Sequence, residues 1–196
     1  MKKNFYWMFA AILFCSAMTT VFTSCSKDDD NNTPEPQKEQ ITAKKATAWY
    51  AASMGEDMLD VFDVEVTTSG PQIGKETKKL TKTKFSMADN DANVNDAGLV
   101  FTMSVKITRK AGFTPDASKS YKLGFGSAFA YEIIGTNGKS LIGDGEKSAI
   151  FSGLTIPGDK LEERIQRLIE TWQTLDQKLE VHKTYYVYNG RKESYE

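Results

Sequence analysis

The run Asp89-Asn90-Asp91-Ala92-Asn93-Val94-Asn95-Asp96 is the most chemically suggestive stretch of this 196-residue chain. Asp89, Asp91, Asn93 and Asn95 place an oxygen-bearing side chain at every second position. Hard cations take several such oxygens, so these four are a candidate calcium site. Two positions depart from a full calcium loop. Val94 stands where a glycine would turn the chain, and Val100 where a glutamate would close the loop. Runs rich in Asn and Asp also make ordinary turns, which is the competing reading.

Aromatic residues form a second group. Trp49 and Tyr50 lie near the start of the folded part, and Tyr185, Tyr186 and Tyr188 near its end. The first and last strands of an antiparallel sheet often meet, so these five are a candidate ligand platform. An exposed Tyr/Trp surface stacks on sugar rings or anchors a protein partner. The competing reading is cross-strand pairing and core.

Catalytic constellations are harder to find. His182 is the single histidine, and no Gly-x-Ser-x-Gly elbow accompanies it. No His pair or Cys pair suggests zinc, and no Gly-x-x-x-x-Gly-Lys loop suggests phosphate. Gly124-x-Gly126 lacks the third glycine and the helix of a dinucleotide site. No catalytic residue is assigned, and a non-enzymatic protein without a cofactor is expected. A glycoside hydrolase using two carboxylates remains an alternative, because separation in space decides that chemistry.

Cys25 carries a different chemistry. Lys2 and Lys3 precede an uncharged, largely apolar run from Phe5 to Phe22, the pattern of a secretory signal. Thr23 and Ser24 then lead into Cys25 and a polar, acidic tract. The other cysteine, Cys15, falls inside the segment to be removed. A lone exported cysteine at the first mature position has no internal disulfide partner, and its thiol is a lipid attachment site. Each buried methylene of an acyl chain is worth about 0.8 kcal/mol, so two or three chains anchor firmly.

Residues 1 to about 32 resemble the lipoprotein signals of Bacteroidota. Phe22-Thr23-Ser24-Cys25 is a relaxed form of the lipobox, without the usual Leu and Gly or Ala. Ser26-Lys27-Asp28-Asp29-Asp30 is similar to the acidic tag after the lipidated cysteine in surface-exported lipoproteins of that group. The resemblance implies an outer-membrane lipoprotein facing the exterior. The alternative is a periplasm-facing protein in which the acids are only a linker.

Composition sets the remaining bounds. Residues 1–24 hold two of the 25 basic residues and none of the 26 acidic ones, so 23 face 26 afterwards and the net charge is −3. No basic block stands out, and nucleic acid is not an expected partner. Residues 25–40 read as the lipidated cysteine and a flexible acidic tether, and residues 41–196 as a single β-rich domain.

Within that domain, period-two alternation predicts strands over Ala46 to Ser53, Leu80 to Met87, Leu99 to Thr108, Tyr121 to Ile134, Lys147 to Leu154 and Leu179 to Tyr188. Met58 to Thr68 reads as a strand, with a helical turn over Glu56 to Phe62 as the alternative for its start. The second face of the Tyr121 strand is small rather than charged, so another layer or a ligand can approach it. Gly124 and Gly126 offer a bend into two sheets. Ser140 to Ile142 reads as a short strand before a Gly143-Asp144-Gly145 turn. Pro157-Gly158-Asp159 opens one amphipathic helix, with Asp159 and Glu162 as a capping pair and a stripe from Leu161 to Leu175. The fold class expected is mainly β, an antiparallel β-sandwich with one late amphipathic helix. A lipocalin-like β-barrel with a C-terminal helix is the alternative.

The functional expectation is a lipid-anchored, non-enzymatic binding or structural module of the cell envelope. Its partners would be the membrane, through the anchor, and a glycan or protein at the surface. The barrel alternative would carry a small apolar ligand.

Overall fold

Successive side chains of a strand leave on opposite faces, so alternation of apolar and polar residues makes one dry face per strand. A computed structural model describes residues 40–142, 148–172 and 176–195 of this chain. Among them are β1 (Ala43–Met54), α1 (Met58–Val61), β2 (Phe62–Gly70), β3 (Gly74–Lys79), β4 (Lys84–Asn93) and β5 (Leu99–Arg109). Then come β6 (Ser120–Gly135), β7 (Ser148–Pro157), α2 (Gly158–Trp172), β8 (Gln177–Val181), β9 (Tyr185–Tyr188) and β10 (Arg191–Ser194). The signal, Cys25, the tether up to residue 39, the Gly143-Asp144-Gly145 turn and Leu175 lie outside the described residues.

The strands form two sheets, ordered β4-β1-β6-β7 and β10-β9-β8-β5-β2-β3. All neighbours are antiparallel. They remain two separate sheets and do not close into a barrel, so the sandwich expectation holds and the lipocalin-like alternative does not. Tyr50, Phe125, Phe129 and Ile133 fill the interior from the four-stranded sheet; Val64, Phe101, Met103, Ile107 and Leu179 fill it from the six-stranded one.

Helix α2 packs against β5, β6 and β7, touching both sheets. Its buried stripe is Leu161, Ile165, Leu168 and Trp172, and the Trp172 ring meets Phe62 edge-on at 6.0 Å. The expected capping pair is not what starts this helix. It begins at Gly158, whose N–H donates to the Lys119 carbonyl at 2.8 Å. A Cβ on Gly158 would lie 1.9 Å from the Asp116 carbonyl oxygen, so only glycine allows so close an approach. Glu162 is instead held by two N–H groups of Arg109, at 2.5 and 2.8 Å. Among the described residues no helix is long and apolar enough to cross a membrane.

The structure departs from the sequence reading at several places. Leu179 to Tyr188 is two strands, because β8 turns at His182 and returns as β9. The polar residues after Gly190 form a further strand, β10, and pair with β9. The polar stretch Gly74–Lys79 is an edge strand, β3, with no apolar face to announce it. Strand β6 does not bend into two sheets; it pairs with β1 and β7 within one sheet. The β4 edge also starts later than expected, since Leu80 still donates its N–H to Val64 on β2, at 2.8 Å. After β6 the expected strand at Ser140 is only a single bridge to Ile134.

Asp57 ties the β1–β2 connection to β6. The Lys122 N–H donates to its Oδ2 at 2.7 Å, and the Lys119 ammonium lies 3.2 Å from Oδ1. The backbone donor first, then Lys119, hold this carboxyl below its ordinary value of 3.8. Stability from a carboxylate depressed in this way is whole above the unfolded value and is lost as pH falls through the lower folded one. Asp57→Asn is therefore expected to destabilise the fold at neutral pH and far less at about pH 2. Urea midpoints at both pH values check this; an equal loss at both would assign the effect to shape rather than charge.

Candidate functional site

On β1 the small residues Ala46, Ala48 and Ala52 go inward with Tyr50, while Thr47, Trp49, Ala51 and Ser53 go outward. Trp49 is 41% exposed, in the middle of the sheet rather than at its rim. Its partners across the strands are Ala88 on β4 and Ala130 on β6. The next outward row is Ser86, Ala51 and Ala128, and beyond it Ser53 lies beside Gly126. Among the described side chains of β4, β1 and β6, the rows of Trp49 and Ala51 therefore hold one large side chain, several small ones and no charge. Charged groups stand at its margin: the Lys45–Asp91 pair at 3.6 Å, Glu132 opposite Thr47, and Lys84 opposite Ser53.

The outer face of the six-stranded sheet is of the ordinary kind. Asp63 pairs with Lys79 at 3.0 Å, Glu65 stands opposite Lys106, and Lys178 pairs with Glu180 at 2.7 Å. A solvated sheet face is normally polar in this way. The neutral face around Trp49 is the exception.

The five aromatic residues do not form one platform, because β1 and β9 belong to different sheets. A backbone link joins the start of β1 to the β8–β9 turn, where the Ala43 N–H donates to the Lys183 carbonyl at 2.8 Å. Tyr50 is buried, edge-on to Phe129 at 5.5 Å, and its hydroxyl donates to the Ser69 carbonyl at 3.0 Å. Burial first, then the Asp89 carboxylate, push that hydroxyl well above the ordinary tyrosine value, so it stays a donor. Tyr188 stacks on Phe129 at 6.0 Å and also meets Tyr131 at 5.2 Å. Tyr186 lies 5.9 Å from Tyr131 and stacks on Tyr195. Tyr50, Tyr186 and Tyr188 thus belong to the packing between the sheets. Tyr185 is half-buried, stacked at 4.4 Å on His182, with the Lys192 ammonium 3.8 Å from its ring centre. Only Trp49 is left as a broad exposed ring of the five.

The acidic run is also spread out. It is strand rather than loop as far as Asn93. Ala46 pairs with Ala92 and Ala48 with Asp89, so β4 carries one extra residue there. This β-bulge places Asp91 in the left-handed region, at φ 53°. Asp89 points inward and is 0% exposed. Its Oδ2 accepts the N–H groups of Gln72 at 3.1 Å and Ile73 at 3.3 Å, clasping the β2–β3 turn. Its Oδ1 has no hydrogen-bond partner among the described residues. Asp91 faces solvent toward Lys45, and its N–H donates to Thr47 Oγ1 at 2.9 Å. Asn93 is exposed at the end of β4, and the Asn95 carbonyl accepts the Gly98 N–H at 3.1 Å. Asp96 pairs with Lys183. Asp89 and Asp91 therefore serve opposite sides of the sheet. Among the described residues no three His, Cys, Asp or Glu side chains are grouped to hold a metal ion.

Two features escaped the sequence reading. The inward position of Asp89 was available from parity, since it continues the series Phe85, Met87, Asp89. The row Ala88–Trp49–Ala130 was not, because only the sheet order brings those three strands together. Comparisons with protein-family models, with curated proteins and with solved structures find no match to this chain.

Proposed function

We propose that this chain is a lipid-anchored, non-enzymatic binding or structural module of the cell envelope, held through Cys25 on the outer membrane and facing the exterior. The observation that carries this reading is the junction at Cys25: a positive start and an apolar run before it, an acidic polar tract after it. From Cys25 to the start of β1 at Ala43 is a span of about 17 residues, which reaches up to roughly 55–60 Å when extended. Such a tether holds a module clear of the headgroups. The two most chemical side chains singled out in the sequence have structural contacts in the folded unit. Asp89 clasps a turn, and His182 stacks on Tyr185.

Metabolic labelling with an alkyne fatty acid tests the anchor. The wild-type chain is expected to take up label, and Cys25→Ala to lose it. Label retained by the variant would remove the anchor assignment. Protease shaving of intact cells tests the outward orientation, with lysed cells as the control for cleavability. Protection until lysis would turn the module toward the periplasm.

A further inference from the structure

We propose that the outer face of the four-stranded sheet binds an uncharged oligosaccharide by stacking a sugar ring on Trp49. This rests on the envelope-module reading only for where the sugar is met, not for the binding itself.

Four observations favour this occupant. First, an indole left 41% exposed in mid-sheet keeps apolar surface in water, and its cross-strand neighbours are alanines with no side chain long enough to fold over it. The C–H groups on one face of a pyranose are weakly positive, and the face of an indole is weakly negative. Second, among the described residues of β4, β1 and β6 the rows of Trp49 and Ala51 carry no charge, so a phosphate or uronate would meet no cation there. Third, the patch is small. Strands lie about 4.8 Å apart and rise about 3.4 Å per residue, so Thr47 to Ser53 across three strands covers roughly 200–300 Å². A stable protein partner needs about 800 Å² on each side, whereas a short run of sugar rings fits the smaller area. Fourth, hydroxyls border the indole. Thr47 accepts the Asp91 N–H, which leaves its own O–H to donate, and Ser53 and Ser86 flank Ala51 on the outward face.

The test is calorimetric titration of the full chain, in a detergent without a sugar headgroup. The neutral probes are maltohexaose, cellohexaose, xylohexaose and mannohexaose; the charged ones are polygalacturonate and heparin. At least one neutral hexasaccharide is expected to bind. Trp49→Ala is expected to weaken that binding by about tenfold or more, and Trp49→Tyr by only a few-fold. Both variants should keep the wild-type unfolding midpoint, because the side chain is exposed. Cys25→Ala should bind sugar unchanged, so a failed anchor would leave this result standing. The proposal is overturned if no neutral probe binds, if a charged probe binds more tightly, or if Trp49→Ala binds as the wild type does.

Discussion

Replacing Phe129 with alanine is expected to cost the fold about 3–5 kcal/mol, the range for a fully buried phenylalanine. Phe129 is 0% exposed and joins the two sheets. Tyr50 meets its ring edge-on, Tyr131 is tilted against it, and Tyr188 stacks on it from the opposite sheet. Removing the ring leaves these side chains facing a void that the strands cannot close without shifting register. Urea unfolding would show a lower midpoint with the slope preserved. Trp49→Ala, on a neighbouring strand but facing outward, should change stability by less than about 0.5 kcal/mol. A loss below about 1.5 kcal/mol for Phe129→Ala would mean that the cluster repacks freely and does not join the sheets.

Gly70 and Asp89 should prove strongly coupled. Gly70 ends β2, and a Cβ added there would lie 2.1 Å from Asp89 Oδ2. Gly70→Ala alone must displace the buried carboxylate from the Gln72 and Ile73 N–H groups, and should cost about 1–3 kcal/mol. Asp89→Ala alone removes both hydrogen bonds to the turn, at about 1.5–3 kcal/mol for a charged acceptor. In the double variant the methyl group has nothing to strike, so its cost should fall short of the sum by about 1 kcal/mol or more. Simple additivity in a double-mutant cycle would mean that Asp89 does not sit where the clasp requires it.

The parts of this molecule readable in advance are those where one strand carries its own pattern. Strands β1, β2, β5 and β6 each alternate along their length, and the stripe from Leu161 to Trp172 fits only a helix. The turn between β8 and β9 left a subtler mark. Leu179 and Val181 are buried at odd positions and Tyr186 at an even one, and this change of phase marks a reversal. Lys183, at a nominally apolar position, was the warning. Strand β3 left no mark, because an edge strand with both faces wet needs no alternation. The candidate site was half readable. Parity alone puts Trp49 opposite Tyr50, and the small outward face of β6 is plain in Gly126, Ala128 and Ala130. That β4 and β6 both lie beside β1 is a property of long-range pairing, which no local pattern encodes.

The position of β1 between β4 and β6 has a consequence for how the chain matures. It is the first strand among the described residues, yet its residues pair with the Lys84–Asn93 segment on one side and the segment ending at Gly135 on the other. One edge of β1 stays bare until β4 ends at Asn93, and the other until β6 ends at Gly135. Proteins dominated by such distant pairings fold in milliseconds to seconds rather than microseconds. A chain cut before β6 leaves that edge of β1 unpaired, an open template for pairing with another chain, so such truncations should aggregate where the full chain does not.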